Sequence, residues 1–276
     1  MSKKGMLAKS TRPKFFTTFF GLLMLFPFLW MISSSLKNSV EAFATPPTLL
    51  PKEPTLENYR NVFRLLDMPR LFLNSIVVSV VCVFLQLTTS ALAGYAFARL
   101  KFRAKNAIFL VYLATMMIPF QVIIVPLFIG MRQFGLIDTY LGLGLPMIAS
   151  AFGVFLMRQA MLAIPRELEE AAILDGANHF RLFFSVALPL CIPTLAALGI
   201  LSFMSVWNAY LWPLVIIFSP DKMTLPLALS NLHGENLTDW PMVMAATTIA
   251  ALPIAIVYLI LQKQISQSFL TAGLKG

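Results

Sequence analysis

The sequence predicts an all-α integral membrane protein. Three observations carry that prediction: a mean hydropathy of +0.80, only 12% charged residues among 276, and six apolar runs parted by polar segments. A soluble globule of this size needs a polar surface that such a composition cannot supply. Helices of roughly 20 apolar residues, by contrast, cross a hydrocarbon core about 30 Å thick.

The first run, residues 15–36, follows a basic N-terminal segment at 1–14. A secretory signal begins the same way, and Ala42-Phe43-Ala44 offers a cleavage-like sequence. The run's 22 uncharged residues exceed the roughly 7 to 15 of a signal core, so a retained helix is expected. The second run is 71–98 and the third 106–131, separated by Arg99, Lys101, Arg103 and Lys105. The fourth is 140–157, the fifth 190–219 and the sixth 241–262. Pro27, Pro119, Pro126, Pro146, Pro213 and Pro253 interrupt these runs. Membrane helices tolerate such prolines where neighbours satisfy the freed carbonyls.

Six spans put the N-terminus, the 99–105 loop, residues 158–189 and the C-terminus on one side. That side holds fourteen of the 21 lysines and arginines, which by the positive-inside rule makes it cytoplasmic. The same asymmetry accounts for the pI near 9.8. Basic residues are expected beside anionic lipid headgroups, and no basic stripe interleaved with aromatics suggests nucleic acid.

The outward loops are less specific. Pro46, Pro47, Pro51 and Pro54 favour an extended, stiff crossing ahead of an amphipathic stretch at 56–66. That loop reads either as scaffold or as a docking surface, and 220–239 carries the same two readings. Cys82 and Cys191, on different helices, read as buried thiols.

Intramembrane catalysis needs a nucleophile with its base, a carboxylate pair or metal ligands at membrane depth. His179 and His233 fall in loops on opposite sides, and no apolar run carries an interior Asp or Glu. No catalytic residue, cofactor site or metal site is therefore expected, and an ion-coupled transporter is disfavoured. Gly130 to Gly135 is followed by Leu136 and Ile137, where a nucleotide loop needs Lys and Ser or Thr. ATP hydrolysis belongs to some other chain.

Four of the twelve acidic residues crowd into 165–175. Each charge at a membrane helix centre costs roughly 2.5–3.5 kcal/mol, so this segment protrudes. Pro165 suits a helix start, Glu167, Glu169 and Glu170 favour its positive end, and Asp175-Gly176 reads as its stop. A second amphipathic helix is expected over 177–188, with Pro189 and Pro193 turning the chain into the fifth span.

Glu170-Ala171-Ala172, three residues, Gly176, nine residues, Val186, then Leu188-Pro189 resembles the EAA loop of binding-protein-dependent ABC importer permeases. The one departure is Val186 where the family pattern has Ile. Asn74-Ser75-Ile76, Tyr95 to Leu100, Met116 to Pro119, Leu156 to Gln159, Trp207 to Pro213 and Leu270 to Gly276 narrow the resemblance to MalG-like carbohydrate permeases. It implies a single type I ABC importer transmembrane domain over 15–276, with both termini cytoplasmic, in a bacterial-type inner membrane. It also implies a second, MalF-like permease, two cytoplasmic ATPase subunits that bind ATP and Mg, and an extracytoplasmic protein that delivers the sugar. Glu170, Ala171, Ala172, Asp175, Gly176, Leu188 and Pro189 would then form the ATPase coupling loop within 165–189. The tail beyond Gln262 either touches the ATPase or frays.

Sugars are held by aromatic faces and by amides or hydroxyls. Trp207, Asn208 and Tyr210 in the fifth span, with Gln86 in the second, are candidates to line a sugar pathway. The alternative for each is packing between helices. The competing functions are a permease for a non-sugar solute and a stand-alone secondary transporter.

Overall fold

The computed structural model of the protein describes residues 12–232 and 238–273. His233, Lys3, Lys4, Lys9 and the last three residues, Leu274 to Gly276, lie outside the described residues. Among the described residues there are helices and turns but no strand. The chain divides into two compact units, residues 1–67 with 231–249 and residues 68–230 with 250–276.

In the first unit, α1 (Arg12–Ser35) runs through Pro27. Every residue from Thr18 to Leu29 is exposed, the expected surface of a helix whose solvent is lipid. Its C-terminal end is tied down by polar contacts. Ser35 is buried against the Tyr59 hydroxyl at 2.7 Å. Asn58 donates to the carbonyls of Ser35 (2.8 Å) and Lys37 (2.7 Å). Buried Lys37 lies over the Trp30 ring and donates to the Thr48 carbonyl. Asn58 and Tyr59 belong to α3 (Glu57–Leu65), the helix predicted at 56–66, and α2 (Ser39–Ala42) is a single turn capped by Asn38. The proline-rich loop is thus folded back onto its own unit and is not an extended strut, because buried Asn58 and Lys37 take up backbone carbonyls that would otherwise lack donors.

The second unit is built around α4 (Met68–Arg99), 32 residues without a break and so about 48 Å long. The third apolar run is not one helix. α5 (Lys105–Ala114) tightens into a 3-10 turn at Thr115–Met117, and α6 (Phe120–Gln133) leaves at 102°. Pro119 forces this, because the residue before a proline prefers extended geometry, and Ile118 has ψ 114°.

The fourth run divides into α7 (Tyr140–Gly144), a 3-10 turn at Leu145–Met147, and α8 (Ala151–Leu162), with a 44° bend. Next come α9 (Arg166–Leu174), α10 (His179–Leu182), a π-helical turn at Phe183–Ala187 and α11 (Leu188–Leu190). α12 (Ile192–Trp207) leaves that segment at 74°. The fifth run breaks again at 208–210 before α13 (Leu211–Ile216), since Pro213 has no N–H to offer the carbonyl of residue 209. A 3-10 turn at Pro220–Lys222 and α14 (Leu225–Ser230) lead to α15 (Trp240–Gly273), which continues through Pro253.

Three helices are long and apolar enough to cross a bilayer alone: α1, α4 and α15. Counting each bent pair as one span raises the number to six.

α4 packs against α8 and α12 at small residues. A Cβ added at Gly94 would stand 2.7 Å from Met157 Cβ, and one at Gly153 would stand 2.3 Å from Ser90 Oγ. Backbones approach this closely only without side chains, the usual device of helix pairing in lipid. Cys82 and Cys191 are buried free thiols.

A polar knot closes the other end of α4. Asn74 donates to the carbonyls of Asp221 (3.0 Å) and Met223 (2.9 Å) and accepts from Tyr140 (2.8 Å), while Ser75 accepts from the Leu225 N–H (2.7 Å). Asp138 accepts from the N–H groups of Phe218 and Ser219, from the Ser219 hydroxyl and from Lys222.

Candidate functional site

The acidic segment folds as its spacing predicts. α9 places Glu167 and Glu169 in its first turn, and Asp175 is the C-cap. Gly176 follows in the left-handed region at φ +80°. Its N–H bonds to Ile173 O (2.9 Å), and the Ala177 N–H bonds to Ala172 O (2.9 Å). These two bonds form a Schellman closure, which needs a residue free to adopt positive φ.

The helix has two different sides. Ala172 packs against the core, whereas Glu170 and Ala171 are exposed and Leu174 is 88% exposed. Leu168, Ile173 and, beyond the turn, Phe180 are exposed as well. Outside an apolar environment such a row of apolar side chains calls for a partner surface.

The second limb of the hairpin departs from the expected helix at 177–188. It starts two residues later, at His179, with Asn178 as the cap accepting the Arg181 N–H (2.9 Å), and it widens into the π turn before ending at Leu190. Pro189 lacks the N–H that would bond the Ser185 carbonyl, and the turn ahead of it relaxes accordingly. Phe183 and Ala187 are buried, and the Phe183 ring meets Tyr95 edge to face at 5.3 Å. Val186 and Leu188 are half-buried against the same core, and Pro189 is exposed.

One contact here had no sequence signal. Arg99 Nε lies 2.6 Å from Glu169 Oε1, with the side chains only 8% and 13% exposed. The two atoms sit off the line of a hydrogen bond, so they meet as charges. Arg99 Nη2 also donates to Ile164 O at 2.9 Å. Arg99 therefore does not stand beside lipid headgroups with its basic neighbours; a buried carboxylate about 70 residues away in sequence takes its charge. Arg158 is likewise turned inward, donating to Phe97 O (3.2 Å) over the Phe109 ring.

A cavity of about 320 Å³ opens where the broken helices part. Phe120 follows the Pro119 break, Met147 precedes the break at 148–150, Tyr210 belongs to the break at 208–210, and Gln86 projects from unbroken α4. Ser205 and Trp212 complete the wall, which contains no charged side chain among the described residues. Trp212 is fixed there by donating to the carbonyls of Gly142 (3.2 Å) and Leu143 (3.1 Å).

Of the four pathway candidates, the fold brings Gln86 and Tyr210 to this cavity. It does not bring Trp207, which is 2% exposed, stacks on Phe203 at 5.5 Å and donates to Ala250 O at 3.2 Å. Asn208 is exposed outside that wall and donates to Met204 O on its own helix at 2.9 Å. Trp207 is a packing residue.

Residues 86–270 match the family model described as binding-protein-dependent transport system inner membrane component. The chain is similar to the lactose transport system permease protein LacG of Rhizobium radiobacter, 36% identical over 248 residues, with 90% of each chain covered. It is also similar to the arabinooligosaccharides transport system permease protein AraQ of Halalkalibacterium halodurans, 35% identical with 94% of each covered. Among solved structures, a chain of a bacterial ABC transporter involved in the import of the acidic polysaccharide alginate superposes with TM-score 0.81. The two are 25% identical, and the match covers 92% of this chain and 95% of that one.

Proposed function

The chain belongs to the binding-protein-dependent transport system inner membrane components, and we propose that it is the membrane-spanning subunit through which an ATP-driven importer passes a sugar. Its permease relatives are carbohydrate transporters by name. The cavity at the helix breaks suits a neutral sugar, with an aromatic ring at Tyr210, an amide at Gln86 and no charge in its wall. Discontinuous helices are where membrane transporters commonly build such sites.

The observation that carries the reading is the two-sided helix α9. One side, at Ala172, is held by the core, while Glu170 and Leu174 stand free. On this reading 165–189 faces the cytoplasm, as do both termini, and α9 docks into a cleft of an ATPase subunit. Glu170 then pairs with a basic residue of that subunit. A second permease, two ATPases that hold ATP and Mg, and an extracytoplasmic sugar-binding protein complete the assembly in a bacterial-type inner membrane. This subunit itself is no enzyme.

Glu170→Lys reverses the free charge without touching the core. The tagged variant, extracted from membranes, should lose the co-purifying ATPase while inserting normally, and sugar uptake should fall with it. Normal ATPase retention and normal uptake in Glu170→Lys would sink the proposal. Uptake measured across sugars, amino acids and phosphate tests the substrate class.

A further inference from the structure

α9 joins α8 through three residues, Ala163 to Pro165. Buried Ile164 and the fixed φ of Pro165 anchor that short linker, and Ala172 packs α9 on the core; a push on the charged first turn of α9 needs a polar support as well. Arg99 supplies that support from α4. Its guanidinium takes the Glu169 carboxylate on α9 at 2.6 Å and the Ile164 carbonyl in the linker at 2.9 Å, so one side chain grips both sides of the hinge.

The charges also suit the ends they occupy. Arg99 is the basic residue in the last turn of α4, and Glu169 lies in the first turn of α9. Each therefore sits at the helix terminus whose dipole it complements.

What lies further along α4 gives the grip its meaning. Arg99 is thirteen residues from Gln86 along one uninterrupted helix, or about 20 Å at 1.5 Å per residue. Gln86 is part of the cavity wall. The onward chain from α9 to that wall passes instead through the π turn and the 74° bend before α12. Backwards along the chain α9 reaches the wall at Met147 through the linker, α8 and the break at 148–150; the route that crosses no break in a helix is across the ion pair and along α4. One turn before Arg99 on the same face, Tyr95 is buried with no hydrogen-bond partner for its hydroxyl among the described residues. Tyr95 therefore adds no second polar anchor beside the pair.

We infer that Arg99 and Glu169 are positioning residues for transport, a buried joint through which displacement of α9 is delivered to α4 and so to the cavity. The inference rests on the docking of α9 to an ATPase, as proposed above, and adds where the stroke goes next.

The test uses the whole importer, purified with its partner subunits and reconstituted in vesicles, and reads sugar transported per ATP hydrolysed. Glu169→Gln keeps the side chain's shape and removes its charge. Arg99→Lys keeps the charge but cannot hold Glu169 and Ile164 together. In both, the ATPase should stay bound and hydrolyse ATP, while sugar moved per ATP falls about tenfold, as when an allosteric coupling is lost.

An unchanged ratio in both variants overturns the inference. So does loss of the ATPase subunit from both, which would make the pair a structural prop. A wild-type complex that shows no ATP-dependent sugar uptake would instead refute the functional reading on which the test stands.

Discussion

Asp138 shows how much one side chain can organise. It stands at φ 55°, in the left-handed region that aspartate tolerates better than most residues. The Ser219 hydroxyl first, then the Ser219 and Phe218 N–H groups, with Lys222 adding its charge, hold its carboxyl well below the usual carboxylate range. A group whose folded pKa is depressed stabilises the fold above its unfolded value, near 3.9, and that stability is lost as pH falls through the window below it. Thermal unfolding of the detergent-solubilised protein should therefore show Asp138→Asn well below wild type at pH 7, with the gap narrowing towards pH 3. A gap independent of pH would show that the carboxylate's charge is irrelevant there. The same residue-level reading separates two neighbours in the break at 208–210. Tyr210→Ala should lower sugar flux, because its side chain lines the cavity, and should do so more than Asn208→Leu, because Asn208 lies outside that wall with its amide bonded to Met204 O.

The crossing of α4 over α8 sets a tolerance at the scale of elements. Gly94→Leu would drive a Cβ to 2.7 Å from Met157 Cβ and 3.0 Å from the Arg158 nitrogen. Helix backbone cannot yield as a flexible side chain does, and overpacking of this kind costs about 1–3 kcal/mol. Gly130→Ala on α6 meets nothing within 4 Å and should gain several tenths of a kcal/mol from helix propensity. Melting temperatures of the two variants should move in opposite directions.

The elements also show what sequence could and could not disclose. The extent of α9, its glycine stop and its exposed glutamate were legible, because capping and charge are local. The breaks were legible only as prolines. Pro27 and Pro253 sit inside continuous helices while Pro119 ends one, and the proline alone does not say which. The ion pair of Arg99 with Glu169 was not legible, since a charge count assigns both residues to a wetted surface. Trp207 and Tyr210 are three positions apart in one motif, and only the break between α12 and α13 sends one into the core and the other to the cavity.

At the scale of the whole molecule, the chain mixes two kinds of membrane segment. α1, α4 and α15 are each long and apolar enough to span alone, whereas the other candidate spans qualify only as bent pairs. The arm Lys105–Met117 has 13 residues, about 20 Å against a core near 30 Å. An arm of that length starting at one face of the bilayer would end within it, where lipid could not satisfy the backbone freed at its break. Such arms need protein or a water-filled cavity beside their breaks, and α4 precedes all three bent pairs in the chain. If segments insert in chain order, α4 is in place as a packing surface before any of the broken ones arrives. Inserting a charge into the middle of α4 would then disorder crossings translated well after it, and that order of dependence is written into the chain by which helices are whole and which are broken.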